Sequence, residues 1–323
     1  MITINKYKKE QLNEWDEFVG GSNNGTIFQK QKFINYHIDR KFVDHSLIIK
    51  NKGKIVGLLP ATIKNNILYS HPGTSYGGLV LSKNIEFSII NDIIQELDNY
   101  CINKKLQSIF LINSPSIYYK ELDDSLDYLL QWNNFQKKEV YISHAVNIQE
   151  TTKMSNLLKK RKRRYLNNDD GLNALEFKES NKFDEFYTIL QKSKEKFQTK
   201  PTHSLEELNE LKKIFPDAIK LLLTIKNNSV IGGSLVFFAN DKISLIFYNT
   251  ILEEMRNSQI SMLQLYKCME LSKKHGYSIV DFGVSHTPEA KDPLAPKFSL
   301  INFKEQFNAK GVLRIAYQKD YCD

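Results

Sequence analysis

The chain has 323 residues, enough for one large or two medium domains, and its 41% hydrophobic and 25% charged content is an ordinary globular composition. Lys+Arg 45 against Asp+Glu 37 gives a formal charge of +8, which favours an anionic partner: a phosphorylated small molecule, a nucleic acid or an anionic lipid surface. Cys101, Cys268 and Cys322 lie far apart without metal-ligand spacing, which argues against a disulfide framework and a zinc site and for a reducing compartment.

The N-terminus lacks an apolar signal region, and no apolar run approaches the length needed to span a bilayer. A cytoplasmic location follows as the expectation, with peripheral membrane contact still compatible with the charge. Heavy use of Lys, Asn and Ile suggests an AT-rich bacterial genome.

Residues 10–19 read as a helix with Leu12, Trp15, Phe18 and Val19 on one face, and 27–37 as a second helix carrying Phe28, Phe33 and Tyr36. From His45 the period becomes that of strands: 46–49 and 55–62 form a hairpin around Asn51-Lys-Gly-Lys54, and 67–70 leads into His71-Pro-Gly-Thr-Ser-Tyr-Gly-Gly78. An amphipathic helix at 89–104, a strand at 108–112, a loop with a short helix and a strand at 139–148 complete this half. The second half repeats the order, with a hairpin at 221–238, a strand at 242–248, a helix at 258–275, a strand at 278–282 and a last strand at 312–318. Gly57 and Gly232 take the same place in the two hairpins (232 − 57 = 175), as do Ser108 and Ser278 after the two helices (278 − 108 = 170). Two copies of one α+β unit are predicted, each a mixed, mostly antiparallel sheet flanked by helices, spanning 1–148 and 149–323.

Between the copies lies Lys159-Lys160-Arg161-Lys162-Arg163-Arg164, six basic residues with no acid among them, a candidate polyanion contact. A helix at 183–197 follows, then Pro201 and His203. The strand Ile279-Val-Asp-Phe282 is bounded by glycines and ends in Asp281-Phe-Gly-Val-Ser285-His286, so it delivers polar groups at a C-terminal strand edge, where open α/β sheets present ligand-binding groups.

The repeated unit, with Asp281-Phe-Gly283 and Phe303-Lys304-Glu-Gln-Phe307, resembles the tandem GNAT-fold acyltransferases of the Fem type, the peptidoglycan-bridge aminoacyltransferases and their relatives in envelope polysaccharide clusters. Trp15, Phe28-Gln29 and Phe33, Ser75-Tyr-Gly-Gly78 and the basic run agree with it. The resemblance implies ligands in the cleft between the units and in a V formed by the strands ending Phe247-Tyr248-Asn249 and Asp281-Phe-Gly283. It implies substrate contacts from Tyr36, His37, Tyr76, Lys196, Tyr248, Asn249, Ser285 and Phe303. It places Lys304 at the donor phosphate or the developing oxyanion.

Lys196 stands where the family tends to place an Arg, keeping the charge but losing the bidentate fork. His286 is the candidate base because its ordinary pKa lies near working pH, with Asp281 as the alternative or as its orienting partner. No nucleophile triad is visible, which favours direct attack by an amine.

No permanently bound cofactor is implied; the co-substrate is acyl-CoA or aminoacyl-tRNA, and the acceptor a phosphorylated or nucleotide-linked amino compound. A CoA-binding Gly-rich turn would fall at Arg256-Asn-Ser-Gln-Ile-Ser261, where Gln259 and Ser261 replace its glycines, so a tRNA donor gains from the basic run. The competing reading is a non-catalytic nucleic-acid-binding protein using the 159–164 run; a lipid-surface scaffold ranks below it because no aromatic stripe flanks that run.

Overall fold

The computed structural model describes residues 1–38, 42–149, 151–166, 175–195, 198–255, 258–287 and 290–321. In chain order the first elements are β1 (Ile2–Lys6), α1 (Leu12–Gly21), α2 (Gln31–Ile34), β2 (Leu47–Asn51), β3 (Lys54–Leu59), β4 (Ala61–Lys64), β5 (Ile67–Ser70), β6 (Val80–Leu81), α3 (Phe87–Asn103), β7 (Ser108–Ile112), α4 (Ser125–Trp132) and β8 (Gln136–Asn147). There follow α5 (Lys160–Arg163), β9 (Leu175–Ser180), α6 (Phe183–Glu195), α7 (Leu205–Ile214), β10 (Ile219–Lys226), β11 (Ser229–Phe238), β12 (Ile243–Ile251), α8 (Ile260–Lys274), β13 (Ile279–Val284), α9 (Phe298–Lys304) and β14 (Lys310–Asp320).

Two compact units result, 1–141 with 313–323 and 142–312. The sequence reading set the boundary at 148 and gave the last strand to the second unit. In the structure β14 pairs antiparallel with β7, Ala316 opposite Ile112 through Asp320 opposite Ser108, and so belongs with the first unit. A strand's own pattern does not name its partner.

In the first unit one sheet runs β1-β2-β3-β6 and a second ladder runs β4-β5-β7-β14, with β5 and β7 parallel. The predicted strand 55–62 is divided at Pro60, which has no N–H to donate, so β3 and β4 serve different ladders. The predicted helix 27–37 is also broken: Ile27–Gln29 is a single 3₁₀ turn capped by Thr26, and Lys30 is extended before α2. Gln29 is buried there and donates from Nε2 to Gly77 O and Ser114 Oγ, both at 2.9 Å. The amphipathic helix is α3, whose Ile90, Ile93, Ile94, Leu97 and Cys101 are buried in the unit's main core.

The second unit has one sheet, β8-β13-β12-β11-β10-β9, antiparallel except for the β12–β13 pair. Its core gathers Val236, Phe238, Met269, Val280, Phe282 and Phe307 between the sheet and α8. The helix α7 was not expected, although Ser204 and Glu207 spell a capping box: Ser204 Oγ accepts from Glu207 N–H and Glu207 Oε2 accepts from Ser204 N–H, each at 3.1 Å.

Phe307 anchors the turn that follows α9. It is fully buried, with ring centroids 5.3 Å from Phe282 and 5.9 Å from Phe303. Phe307→Ala is expected to cost about 3–5 kcal/mol in urea unfolding; a loss under about 1 kcal/mol would mean that the site can collapse around the deletion.

Candidate active site

The site is built where two parallel strands stop pairing. β12 and β13 are paired only at Ile243–Ile279, Ser244–Val280 and Leu245–Asp281, after which they part. An irregularity follows on each outer ladder. On the β11 side Leu235 faces Tyr248 and Val236 faces Ile246, so Phe247 is an extra residue that kinks β12. On the β8 side Ala145 faces Asp281 and Ser143 faces Val284, so His144 alone stands opposite Phe282 and Gly283. Gly283 takes φ +71°, the left-handed region that a glycine enters without penalty. Its N–H donates to Asp281 Oδ1 at 2.7 Å, so the fully buried Asp281 shapes this turn.

Lys304, at the end of α9, holds the strand end. Its Nζ donates to Gly283 O at 2.6 Å, Val284 O at 2.9 Å and Ser285 Oγ at 2.9 Å, so the ammonium spends all three protons on the segment beyond the parting. Burial pushes its pKa down to about 8, while the Asp281 charge acts in the opposite direction. Ser285 Oγ also lies 3.4 Å from His144 Nδ1. His144 is buried, and burial together with the Lys304 charge lowers its pKa, with Glu305 opposing.

His286 is held differently from expectation. Its Nε2 accepts the Ile142 N–H at 3.0 Å, and since an amide only donates, the ring proton of the neutral form sits on Nδ1. Neither nitrogen then offers an uncommitted lone pair, and this geometry makes His286 a tie between β8 and the strand end rather than a base. Phe303 is half-buried and packs on the unit's core.

On the other arm of the V, Tyr248 is buried, and its hydroxyl accepts from Thr202 N–H at 2.9 Å and His203 N–H at 3.3 Å, fixing the loop before α7. Asn249 Oδ1 accepts from Ser234 Oγ at 2.8 Å and from Gln264 Nε2 of α8. Gln264 also accepts from Thr224 Oγ1 at 2.6 Å and donates to Gly233 O at 2.7 Å, so a buried amide joins β10, β11 and β12 to α8.

No family model matches the chain, and no curated protein sequence does. Solved structures do. FemX superposes with a TM-score of 0.70 at 12% identity, covering 98% of this chain and 97% of that one. L-PGS from Bacillus licheniformis gives 0.59 at 10% identity over 96% and 91%, and a tandem GNAT protein from the clavulanic acid biosynthesis pathway gives 0.55 at 7% over 100% and 99%. The chain has a Fem-like tandem GNAT fold.

In the second GNAT unit the basic run folds back on the start of α8. Lys162 Nζ donates at 2.8 Å to the Oε1 of Gln259, the residue capping that helix. Arg163 is committed to the backbone, donating to Leu158 O and Asn156 O, and Arg164 lies 4.8 Å from the Tyr165 ring centroid. Lys159, Lys160 and Arg161 are exposed. Lys196 and Arg256 lie outside the described residues.

Tyr36, His37 and Tyr76 fall in the first GNAT unit, in an aromatic cluster. Tyr36 and Tyr76 are buried, Tyr76 with ring centroids 5.7 Å from Phe28 and 5.0 Å from Tyr118. His37 Nε2 donates to Gly73 O at 2.7 Å. Beside it His71 is pushed down to about 4 by burial, with His37 adding to the effect, and stays neutral. Arg314 of β14, unmarked by any sequence signal, lies 4.7 Å from the Tyr76 ring and 5.4 Å from the Tyr141 ring.

The depressed Lys304 pKa has a linked effect on stability. Between about 8 and the ordinary 10.5 the unfolded chain holds a proton that folded Lys304 does not, so this group's contribution to stability rises with pH across that window. The wild-type-minus-Lys304→Met difference in urea-derived stability is expected to grow across it. A pH-independent difference would show that folded Lys304 keeps its ordinary pKa.

Proposed function

We propose that the protein is an N-acyltransferase that moves an acyl or aminoacyl group from a thioester or aminoacyl-tRNA donor to an amine of a phosphorylated or nucleotide-linked cell-envelope or nucleotide-sugar precursor. The observation that carries this reading is the parted β12–β13 pair, beyond which these two strands no longer pair with each other and the segment after Asp281 is held by a buried ammonium. An extended donor can lie in such a gap and meet backbone groups that the missing ladder would otherwise have used. The fold supports the same class, since FemX, L-PGS and the clavulanic acid pathway GNAT protein share it.

The roles we propose rest on these contacts. Asp281 shapes the Gly283 turn, and Lys304 supplies positive charge beneath it. Through its bonds to Gly283 O, Val284 O and Ser285 Oγ, Lys304 positions the strand end, and the positive charge it carries once protonated faces the oxyanion of the tetrahedral intermediate. Tyr248 and Asn249 line the opposite arm, and Phe303 backs the site from α9.

The donor carries phosphates. The α8 N-terminus has the positive end of a helix dipole with Lys162 beside it, and Lys159, Lys160 and Arg161 extend that charge outward. Gln259 and Ser261 replace the glycines of a CoA-binding turn, so backbone approach by a pyrophosphate is obstructed and aminoacyl-tRNA is the better fit. A purely nucleic-acid-binding role is not favoured, because Lys162 and Arg163 are turned onto protein partners.

Calorimetric titration with charged tRNA and with acyl-CoA tests the donor. Neutralising Lys159, Lys160 and Arg161 together is expected to weaken tRNA binding by about tenfold or more, and to lower the salt-dependence slope by roughly 0.7–0.9 per lost phosphate contact. Tight acyl-CoA binding that the triple variant leaves unchanged would overturn the tRNA reading.

A further inference from the structure

His144, Ser285 and Lys304 form a chain of exchangeable protons that the sequence did not foreshadow. His144 Nδ1 is 3.4 Å from Ser285 Oγ, which is 2.9 Å from Lys304 Nζ. Through its other donors Lys304 holds Gly283 O and Val284 O. The three side chains come from three elements, β8, the segment after β13, and α9.

The arrangement is satisfied in two proton states. With Lys304 as ammonium, its three N–H groups meet Gly283 O, Val284 O and Ser285 Oγ; the Ser285 O–H then points to His144 Nδ1, and the histidine proton is on Nε2. With Lys304 as amine, its two N–H groups keep the carbonyls and its lone pair accepts the Ser285 O–H. Ser285 Oγ then accepts from His144 Nδ1–H, and Nε2 becomes a lone pair. Apart from His144 Nε2, neither state leaves a donor or acceptor of the chain unmet, so the proton can move without newly orphaning a polar group.

The outer nitrogen of the chain is not spent on the protein. His144 makes one side-chain hydrogen bond, through Nδ1, and Nε2 has no protein partner among the described residues, nor is it one of the fully buried unpartnered atoms. The neighbouring His286 cannot compete for this role, because its Nε2 is taken by the Ile142 N–H.

We propose that His144 Nε2 is the general base that takes the proton of the attacking amine, and that the proton passes through Ser285 to come to rest on Lys304. This rests on the acyltransferase reading above. The amine nitrogen attacks the donor carbonyl, a C–N bond forms, and the C–S or C–O bond to the leaving group breaks. The proton lost by nitrogen goes to His144 Nε2; Nδ1–H goes to Ser285 Oγ; the former hydroxyl proton goes to Lys304 Nζ. The reverse sequence delivers it to the departing thiolate or alkoxide, so the turnover is proton-neutral.

The electrostatics agree in direction. Burial and Lys304 lower His144, against Glu305, so the imidazole passes a proton on rather than keeping it; Lys304, lowered by burial against the pull of Asp281, has its midpoint at about 8, close to working pH. The 3.4 Å link is long, as such contacts often are before substrate closes the site.

Nitrogen-15 NMR of histidine-labelled protein tests the relay without any substrate, the His144→Gln variant identifying the resonance. On raising the pH from about 6 to about 10, the neutral ring is expected to change from the Nε2–H to the Nδ1–H tautomer in step with Lys304, and Ser285→Ala is expected to abolish the change. One tautomer throughout in the wild type, or the same change in Ser285→Ala, would overturn the relay. In a transfer assay His144→Gln is expected to lower kcat by about a hundredfold with KM little changed, and to remove the acid limb set by Lys304. An unaltered kcat would overturn the base assignment. Absence of transfer by the wild type would instead count against the acyltransferase reading, so the two failures are distinguishable.

Discussion

The second unit depends on a single interruption, the separation of β12 from β13 after Leu245 and Asp281. A sheet that opens in its middle exposes backbone that must be satisfied in some other way, because unpaired buried carbonyls are costly. Lys304 meets that demand with three charge-assisted donors. A buried ammonium is itself expensive, by several kcal/mol without compensation, and here the hydrogen bonds and the Asp281 charge offset the loss of water. The irregular ladders on both sides and the left-handed Gly283 follow from the same need to steer two strands apart.

Charge is distributed to match. The parted strands hold a buried cation at one point, and the α8 N-terminus with its flanking lysines makes a second, solvent-facing positive region. Under the proposed function the solvent-facing region holds a donor's phosphates and the buried cation acts on its carbonyl. The buried network of Gln264, Asn249, Ser234 and Thr224 gives the second arm its rigidity, since each partner fixes the amide of the next.

Much of the fold was legible because it is written in local periodicity. Ile90, Ile93, Ile94, Leu97 and Cys101 announce α3, and the two hairpins, the helix before β13 and β13 itself fall where their patterns place them. Elements shaped by distant partners were not. β14 pairs with β7 across 200 residues of chain, roughly counted, which no strand pattern encodes. Pro60 was visible, but its consequence, a strand shared between two ladders, needs the second ladder to exist. In the site, Asp281, Ser285 and Lys304 were picked out from a strand end and a motif, and the structure brings them together. His144 was missed because Tyr141-Ile-Ser-His144 reads as ordinary strand, and only the bulge against Phe282 and Gly283 sets it opposite the turn. His286 attracted attention by its residue type, while its role was set by an amide 144 positions away in sequence.

The buried lysine at the parting of the strands is the group to test. The most direct measurement is single-turnover transfer from a labelled donor to an amine acceptor, comparing wild type with Lys304→Met, with urea unfolding run on both to show that each is folded. A new amide bond formed by the wild type, and formed at least about a hundredfold more slowly by the folded variant, is the predicted result. Equal rates would contradict the claim that this cation and the strand end it holds are the centre of the chemistry.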